Sequence, residues 1–255
     1  MGFSAGADLP SQSGVIALLS EESSLLIPLK DNISSRTVPI VNYVLIGLNV
    51  LVFLFELSLG SELQQFVHAF GVVPHRILYI VFDAPQYYYI ALISLFSSMF
   101  LHGGFLHLIG NMLFLYIFGD NVEDALGHGR YLVFYLGCGI AASLVQLMIH
   151  PGSRIPTIGA SGAIAGVMGA YFLLYPRSKV LTLVPIFFFF QVFEIPAILF
   201  LGLWFVIQFF LGSFSIAGAS GSAGIAFWAH IGGFAVGAGY IFIRYGGTVR
   251  RNFAR

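Results

Sequence analysis

Long apolar stretches alternate with short polar ones along most of the chain, and their lengths set the first expectation. Runs of roughly twenty apolar residues suit helices that cross a bilayer core of about 30 Å. Six such segments are legible: Pro39 to Leu59; a second that rises out of Leu92 to Leu101 and runs through His102 and His107 to about Asp120; Tyr131 to Ile149; a fourth through Gly159-Ala160-Ser161-Gly162 to Tyr175-Pro176; Pro196 to Leu211; and Ile225 to Ile243. The intervening segments read differently from one another. Residues 1–38 are polar and mixed, with Asp8, Glu21, Glu22, Lys30, Asp31 and Arg36, and read as a soluble tail without the basic, cleavable pattern of a leader. Gly60 to Tyr89 is too polar to span yet rich in aromatic residues, which predicts a partly helical loop lying in the interface. Val180 to Glu194 is apolar but interrupted by Pro185 and followed by Pro196, and reads as an interfacial loop. Gly212 to Gly224 is a Gly/Ser/Ala loop, and residues 246–255 form a basic tail. The expected architecture is an all-α polytopic membrane protein: a tail over 1–38, a six-helix domain over 39–245, and the tail over 246–255.

Composition narrows the classes. Hydrophobic residues are 58% of the 255 and charged residues 9%, which excludes an ordinary soluble domain and makes the lipid bilayer a partner. Formal net charge is zero and no basic patch is visible, which argues against a nucleic-acid partner. Cys138 is the single cysteine, so no internal disulfide forms, and its apolar surroundings read as packing.

Charge also sets orientation. Six spans leave both termini on one side, together with Lys30, Arg36, Arg130, Arg177, Lys179, Arg244, Arg250, Arg251 and Arg255, whereas Arg76 and Arg154 fall opposite. The positive-inside rule then makes the termini cytoplasmic, and the expected location is the inner membrane of a prokaryotic cell.

Ionisable and polar groups inside spans are costly, and so they are the first candidates for chemistry. Ser161 lies at the start of the fourth span beside Gly162, with Gly166 and Gly169 giving that helix a small-residue face. Free N–H groups and the positive dipole end of a helix stabilise negative charge beside Ser161, as an acyl-transfer nucleophile requires. Taken alone, a serine between glycines in a membrane helix is ordinary packing material. His230 changes that reading. Counted from Pro176 and Arg244, both residues stand roughly 20 Å above the cytoplasmic ends of their helices, and Gly233 and Gly237 give the sixth span a small face that can meet the fourth. His107 and Asn111, spaced i, i+4 at similar depth, are candidate donors to an oxyanion; the competing reading is a polar clamp between helices.

Other chemistries fit poorly. There is no His-Glu-x-x-His, and His102 and His107 are five apart, off a common helix face, so neither a metal nor a cofactor is expected. Paired aspartates within spans are absent, and no carboxylate is placed to orient His230, which makes the unit a Ser-His dyad.

Gly159-Ala160-Ser161-Gly162, His107-Leu108-Ile109-Gly110-Asn111 and Ala229-His230-Ile231-Gly232-Gly233 with Gly237 resemble the three signature segments of the rhomboid intramembrane serine proteases, in the order and spacing of that family. The resemblance runs from about Ile27 to Tyr245. It implies a compact six-transmembrane-helix bundle with Ser161 as nucleophile, His230 as general base, and His107, Asn111 and the backbone at Ser161 and Gly162 around the oxyanion. It also implies substrates that are single-pass membrane proteins, cut near the outer end of the transmembrane segment. Two features depart from the pattern. Ala165 stands four residues after the serine, where some members carry a tyrosine stacked on the histidine, and the Trp-Arg pair that some members carry in the first outer loop is absent. Catalytically inactive relatives that bind membrane clients form the rival class; these typically lack the serine or the histidine, and both are present here. A small transporter is a third reading, for which no inverted hydropathy repeat is evident.

Overall fold

The computed structural model describes residues 26–186, 189–216 and 226–254. Its elements, in chain order, are β1 (Ile27–Asp31), α1 (Ile40–Ser58), α2 (Leu63–Phe70), α3 (Pro74–Phe82), α4 (Tyr88–Ser97), α5 (Phe105–Leu126), α6 (His128–Ile149), α7 (Ser161–Leu174), β2 (Lys179–Ile186), β3 (Phe189–Pro196), α8 (Ala197–Ile216) and α9 (Phe227–Ala254). Among the described residues, α1, α5, α6 and α8 are long and apolar enough to cross a membrane. The chain is a multi-pass integral membrane protein.

Helix α7 is the centre of the bundle. Its residues are apolar or small all round, and every one from Gly162 to Tyr171 is buried. Fourteen residues give it a length of about 21 Å, short of a bilayer core. The chain reaches its first residue, Ser161, through a loop. That loop is anchored: Gly159 N donates to Ser98 O at 2.8 Å, and Val72 and Thr157 pair as an isolated antiparallel bridge.

Glycines set how closely α9 lies on α7. A Cβ built on Gly233 would come within 2.0 Å of Gly162 O, one on Gly237 within 2.0 Å of Gly166 O, and one on Gly169 within 2.2 Å of Phe234 O. Backbone meets backbone along both small faces, as the spacing of these glycines predicts. Polar side chains join the remaining helices. Glu123 of α5 accepts the backbone N–H groups of Val41 (3.0 Å) and Asn42 (2.7 Å), satisfying free donors at the start of α1. Asn42 in turn donates to Leu115 O and accepts from the Tyr131 hydroxyl, tying α1 to α5 and α6 inside an apolar surround where an unpaired amide would be costly.

Several boundaries differ from those read in the sequence. Leu92 to Asp120 is not one segment: α4 stops at Ser97, and α5 starts only at Phe105. Between them Gly104 has φ +159°, and His102 N donates to the buried carboxylate of Glu56 at 3.1 Å, a contact that a continuous helix would not offer. The apolar stretch after Lys179 is a β-hairpin and not a loop, so the all-α expectation is corrected by a three-stranded antiparallel sheet in the order β1-β2-β3. Its prolines are tolerated for positional reasons. Partner β1 reaches only Val180 to Leu183, which leaves Pro185 beyond it, and Pro196 is the last residue of β3. Strand β1 itself falls in the segment read as tail. It is held by Asn121, which donates to Asp31 at 3.0 Å, and by the Tyr171 hydroxyl, which also donates to Asp31. Helix α8 continues to Ile216, past Leu211, and the remainder of the expected Gly/Ser/Ala loop lies outside the described residues, as do residues 1–25 of the tail. Helix α9 runs through the expected C-terminal tail to Ala254, bending at Tyr245, which has non-helical φ −125°.

The connection from Gly60 to Tyr89 is partly helical, as its mixture of aromatic and polar residues predicts. Arg76 organises it. Its guanidinium donates to Ala69 O (3.1 Å), Gly71 O (2.7 Å), the Ser94 hydroxyl (3.0 Å) and His68 O, so a single planar fork closes the loop onto α4.

Candidate active site

Ser161 is the first residue of α7, and the chain reaches it through Gly159 at φ +121°, a left-handed conformation that favours glycine. A side chain at Gly159 would also meet His107 Nε2 at 2.7 Å. Two reasons therefore require glycine two residues before the serine. Gly162 is equally constrained, since a Cβ there would lie 2.6 Å from Ala142 Cβ.

The close packing of α7 on α9 brings the two expected partners together. His230 Nε2 lies 2.8 Å from Ser161 Oγ. The other ring nitrogen, Nδ1, lies 2.7 Å from Gln208 Oε1 on α8. An amide oxygen only accepts, so Nδ1 carries the ring proton and Nε2 is left to accept from the serine hydroxyl. Trp204, one turn before Gln208 on the same face of α8, lies beside the imidazole with ring centroids 5.8 Å apart at 37°. With Ala165 buried in α7 where a stacking tyrosine would otherwise stand, Trp204 and Gln208 hold the His230 ring from α8. Neither is among the candidates that the sequence pattern singles out. The available signal was an amide inside an otherwise apolar span, four residues after a tryptophan, but which residue it faces depends on how α8 packs.

His107 and Asn111 share a face of α5 near the start of that helix, and the structure places them differently. His107 Nε2 and Ser161 Oγ flank Gly159, within 2.7 and 3.6 Å of the position a Cβ would take there, and His107 Nδ1 accepts from Gly103 N at 3.3 Å. Asn111 Nδ2 lies 3.1 Å from His102 Nε2, while His102 Nδ1 lies 3.3 Å from Phe100 O. Since a carbonyl only accepts, His102 Nδ1 donates and Nε2 accepts one N–H of the Asn111 amide, which leaves the second N–H of that amide free of this contact. The His102 and His107 rings meet edge to face, 5.1 Å apart. A cavity of about 20 Å³ opens beside Ser161, walled by Met99, Gly139, Ala142, Gly159, Gly162 and Ala229. It has room for a water molecule or a very small side chain.

A hydroxyl bonded to a neutral imidazole at a helix N-terminus, beside further N–H donors and a small cavity, has the parts of an acyl-transfer site. Among known proteins, residues 89–247 match the Rhomboid domain family. The chain is 33% identical over 147 residues to Rhomboid protein 1, mitochondrial, of Saccharomyces cerevisiae, covering 56% of this chain and 38% of that protein. It is 36% identical over 138 residues to Rhomboid protease GluP of Bacillus subtilis, covering 54% of this chain and 24% of that protein. To Rhomboid-like protein 11, chloroplastic, of Arabidopsis thaliana it is 32% identical over 119 residues, covering 47% and 40%. The chain thus spans well under half the length of these relatives. With the matched region covering more than half of its own length and containing His107, Asn111, Ser161 and His230, the chain belongs to the rhomboid family.

Proposed function

We propose that the protein is an intramembrane serine endopeptidase that cuts single-pass membrane proteins near the outer end of their transmembrane segment. The observation that carries this reading is the 2.8 Å contact between Ser161 Oγ and His230 Nε2, with Nδ1 held by Gln208. In the proposed reaction His230 Nε2 takes the hydroxyl proton as Ser161 Oγ attacks the scissile carbonyl carbon. The carbonyl electron pair moves onto oxygen, and the tetrahedral oxyanion is met by the N–H groups at Ser161 and Gly162 and by Asn111 and His107. Collapse expels the amine, which takes the proton back from Nε2. Water then repeats the sequence on the acyl-enzyme.

A helical peptide already uses its carbonyls, so the substrate must unwind to reach Ser161, and the small cavity beside the serine suits small residues at that point. Six crossings, with α7 and α9 joining the four long apolar helices, and cytoplasmic termini complete the reading. Protease-named relatives support it at the level of the family. Relatives named as mitochondrial and chloroplastic leave the choice of membrane, including a prokaryotic inner membrane, to experiment. An inactive client-binding protein is the alternative, and the paired serine and histidine favour the protease over it.

The test uses purified protein and a panel of single-span substrates. Ser161→Ala and His230→Ala each abolish cleavage, and the double variant is no worse, because the two side chains act as a unit. Substantial cleavage by Ser161→Ala ends the serine-protease reading.

A further inference from the structure

The groove that runs between the end of α7 and the last turns of α9 has no part in the chemistry at Ser161, which lies at the opposite end of α7. Its volume is about 420 Å³, and its polar lining comes from Tyr175, Arg177, Ser178, Thr248, Arg251 and Asn252. Helix α9 bends at Tyr245, ahead of its basic end. There Asn252 Nδ2 donates to Leu174 O at 2.6 Å, one of the carbonyls that the end of α7 leaves without an intrahelical partner. That contact fixes the spacing of the two walls. Arg251 comes from one wall and Arg177 from the other.

Neither arginine has a carboxylate partner among the described residues, where the ion pairs are His128 with Glu123 and Lys179 with Glu194. The carboxylates of this end of the bundle bond elsewhere, Asp31 with Tyr171 and Asn121, Asp120 with Asn121, Glu123 with Val41, Asn42 and His128, and Asp124 with Thr37. Two unneutralised guanidinium groups thus line one polar recess whose other side chains offer hydroxyl and amide groups. Guanidinium forks match phosphate oxygens. Phe242 and Ile243 are exposed as lipid-facing residues are; Arg251 follows them on α9 by about two turns, and Arg177 follows the end of α7, so with those apolar side chains in lipid the recess falls at the headgroup level.

We infer that this groove binds the phosphate of an anionic phospholipid headgroup. The bound lipid bridges α7, which carries Ser161, to α9, which carries His230, at the ends of those helices away from the dyad.

Native mass spectrometry of the full chain in neutral detergent tests the inference, titrating phosphatidylglycerol and phosphatidylcholine separately. The wild-type chain is expected to retain phosphatidylglycerol at least tenfold more tightly than phosphatidylcholine. Arg177→Gln with Arg251→Gln lowers phosphatidylglycerol affinity about tenfold or more, and Arg244→Gln with Arg250→Gln, an equal loss of charge on α9 outside the groove, lowers it less than threefold. Arg251→Gln alone keeps the test usable if the pair fails to fold, since among the described residues that side chain bonds only to Thr248, and it is expected to cost about fivefold. Equal losses in the two pairs, equal binding of the two lipids, or no loss in Arg251→Gln overturns the site. Displacement of phosphatidylglycerol by millimolar inorganic phosphate, with phosphate retained in its place, overturns the lipid assignment in favour of a soluble anion.

Discussion

Replacing Gln208 with leucine removes the acceptor that holds His230 Nδ1–H at 2.7 Å while keeping most of the side-chain volume. Gln208 is 5% exposed, so no water takes the place of its amide oxygen without rearrangement of α8. An N–H left unpaired in such surroundings costs about 1–3 kcal/mol. The imidazole escapes that cost by moving its proton to Nε2 or by turning away, and either change stops Nε2 from accepting the Ser161 proton. Since each 1.4 kcal/mol is a factor of about ten in rate, kcat should fall roughly 10- to 100-fold. KM should change little, because Gln208 touches the ring on the side away from Ser161. Gln208→Glu restores an acceptor of the same length and should recover most of the loss, whereas Gln208→Asn, shorter by one methylene, should not. The assay is cleavage of a fluorogenic single-span substrate at saturating concentration, with melting temperature and fluorophosphonate labelling of Ser161 measured alongside. A Gln208→Leu protein that turns over within twofold of wild type would falsify the positioning role, and a loss in kcat that merely follows a lower melting temperature would reduce Gln208 to a packing residue.

The remaining predictions concern the donors, the helix contact and the sheet. Asn111→Ala should lower kcat about 100- to 1,000-fold while Ser161 still reacts with small fluorophosphonates; a drop in melting temperature with near-normal turnover would instead make the amide a clamp on His102. Gly233→Ala places a methyl group against Gly162 O, backbone that cannot rotate away, and should destabilise the protein by about 1–3 kcal/mol; an unchanged melting temperature would mean that α7 and α9 are not held this close. Burial pushes the Asp31 carboxyl above its ordinary value, so its ionised form weakens β1 docking above the folded pKa, and that cost vanishes as pH falls below the unfolded value of about 3.9. The melting temperature of wild type relative to Asp31→Asn should accordingly rise as pH is lowered from 7 toward 4, and a constant difference over that range rules the effect out.

Much of the protein was legible in the sequence because bilayer physics is severe. A spanning segment must satisfy its own backbone, which makes length and apolar content sufficient to locate α1, α6 and α8, and the cost of polar groups in hydrocarbon singles out Ser161, His230, His107 and Asn111. Glycine spacing also carried across, since Gly162, Gly166 and Gly169 on one face and Gly233 and Gly237 on another can serve only close approach. Hydropathy does not encode which strands find one another. Val180 to Glu194 is equally apolar as loop or hairpin, and its pairing with Ile27 to Asp31, about 150 residues away in the chain, exists only once α5 and α7 offer Asn121 and Tyr171 to Asp31. Only the tertiary structure decided what holds the imidazole. Gln208 and Trp204 lie on a helix whose apolar character leaves its rotation unspecified, and it is the packing of α8 beside α9 that aims an amide oxygen at His230 Nδ1 and leaves Nε2 facing the serine.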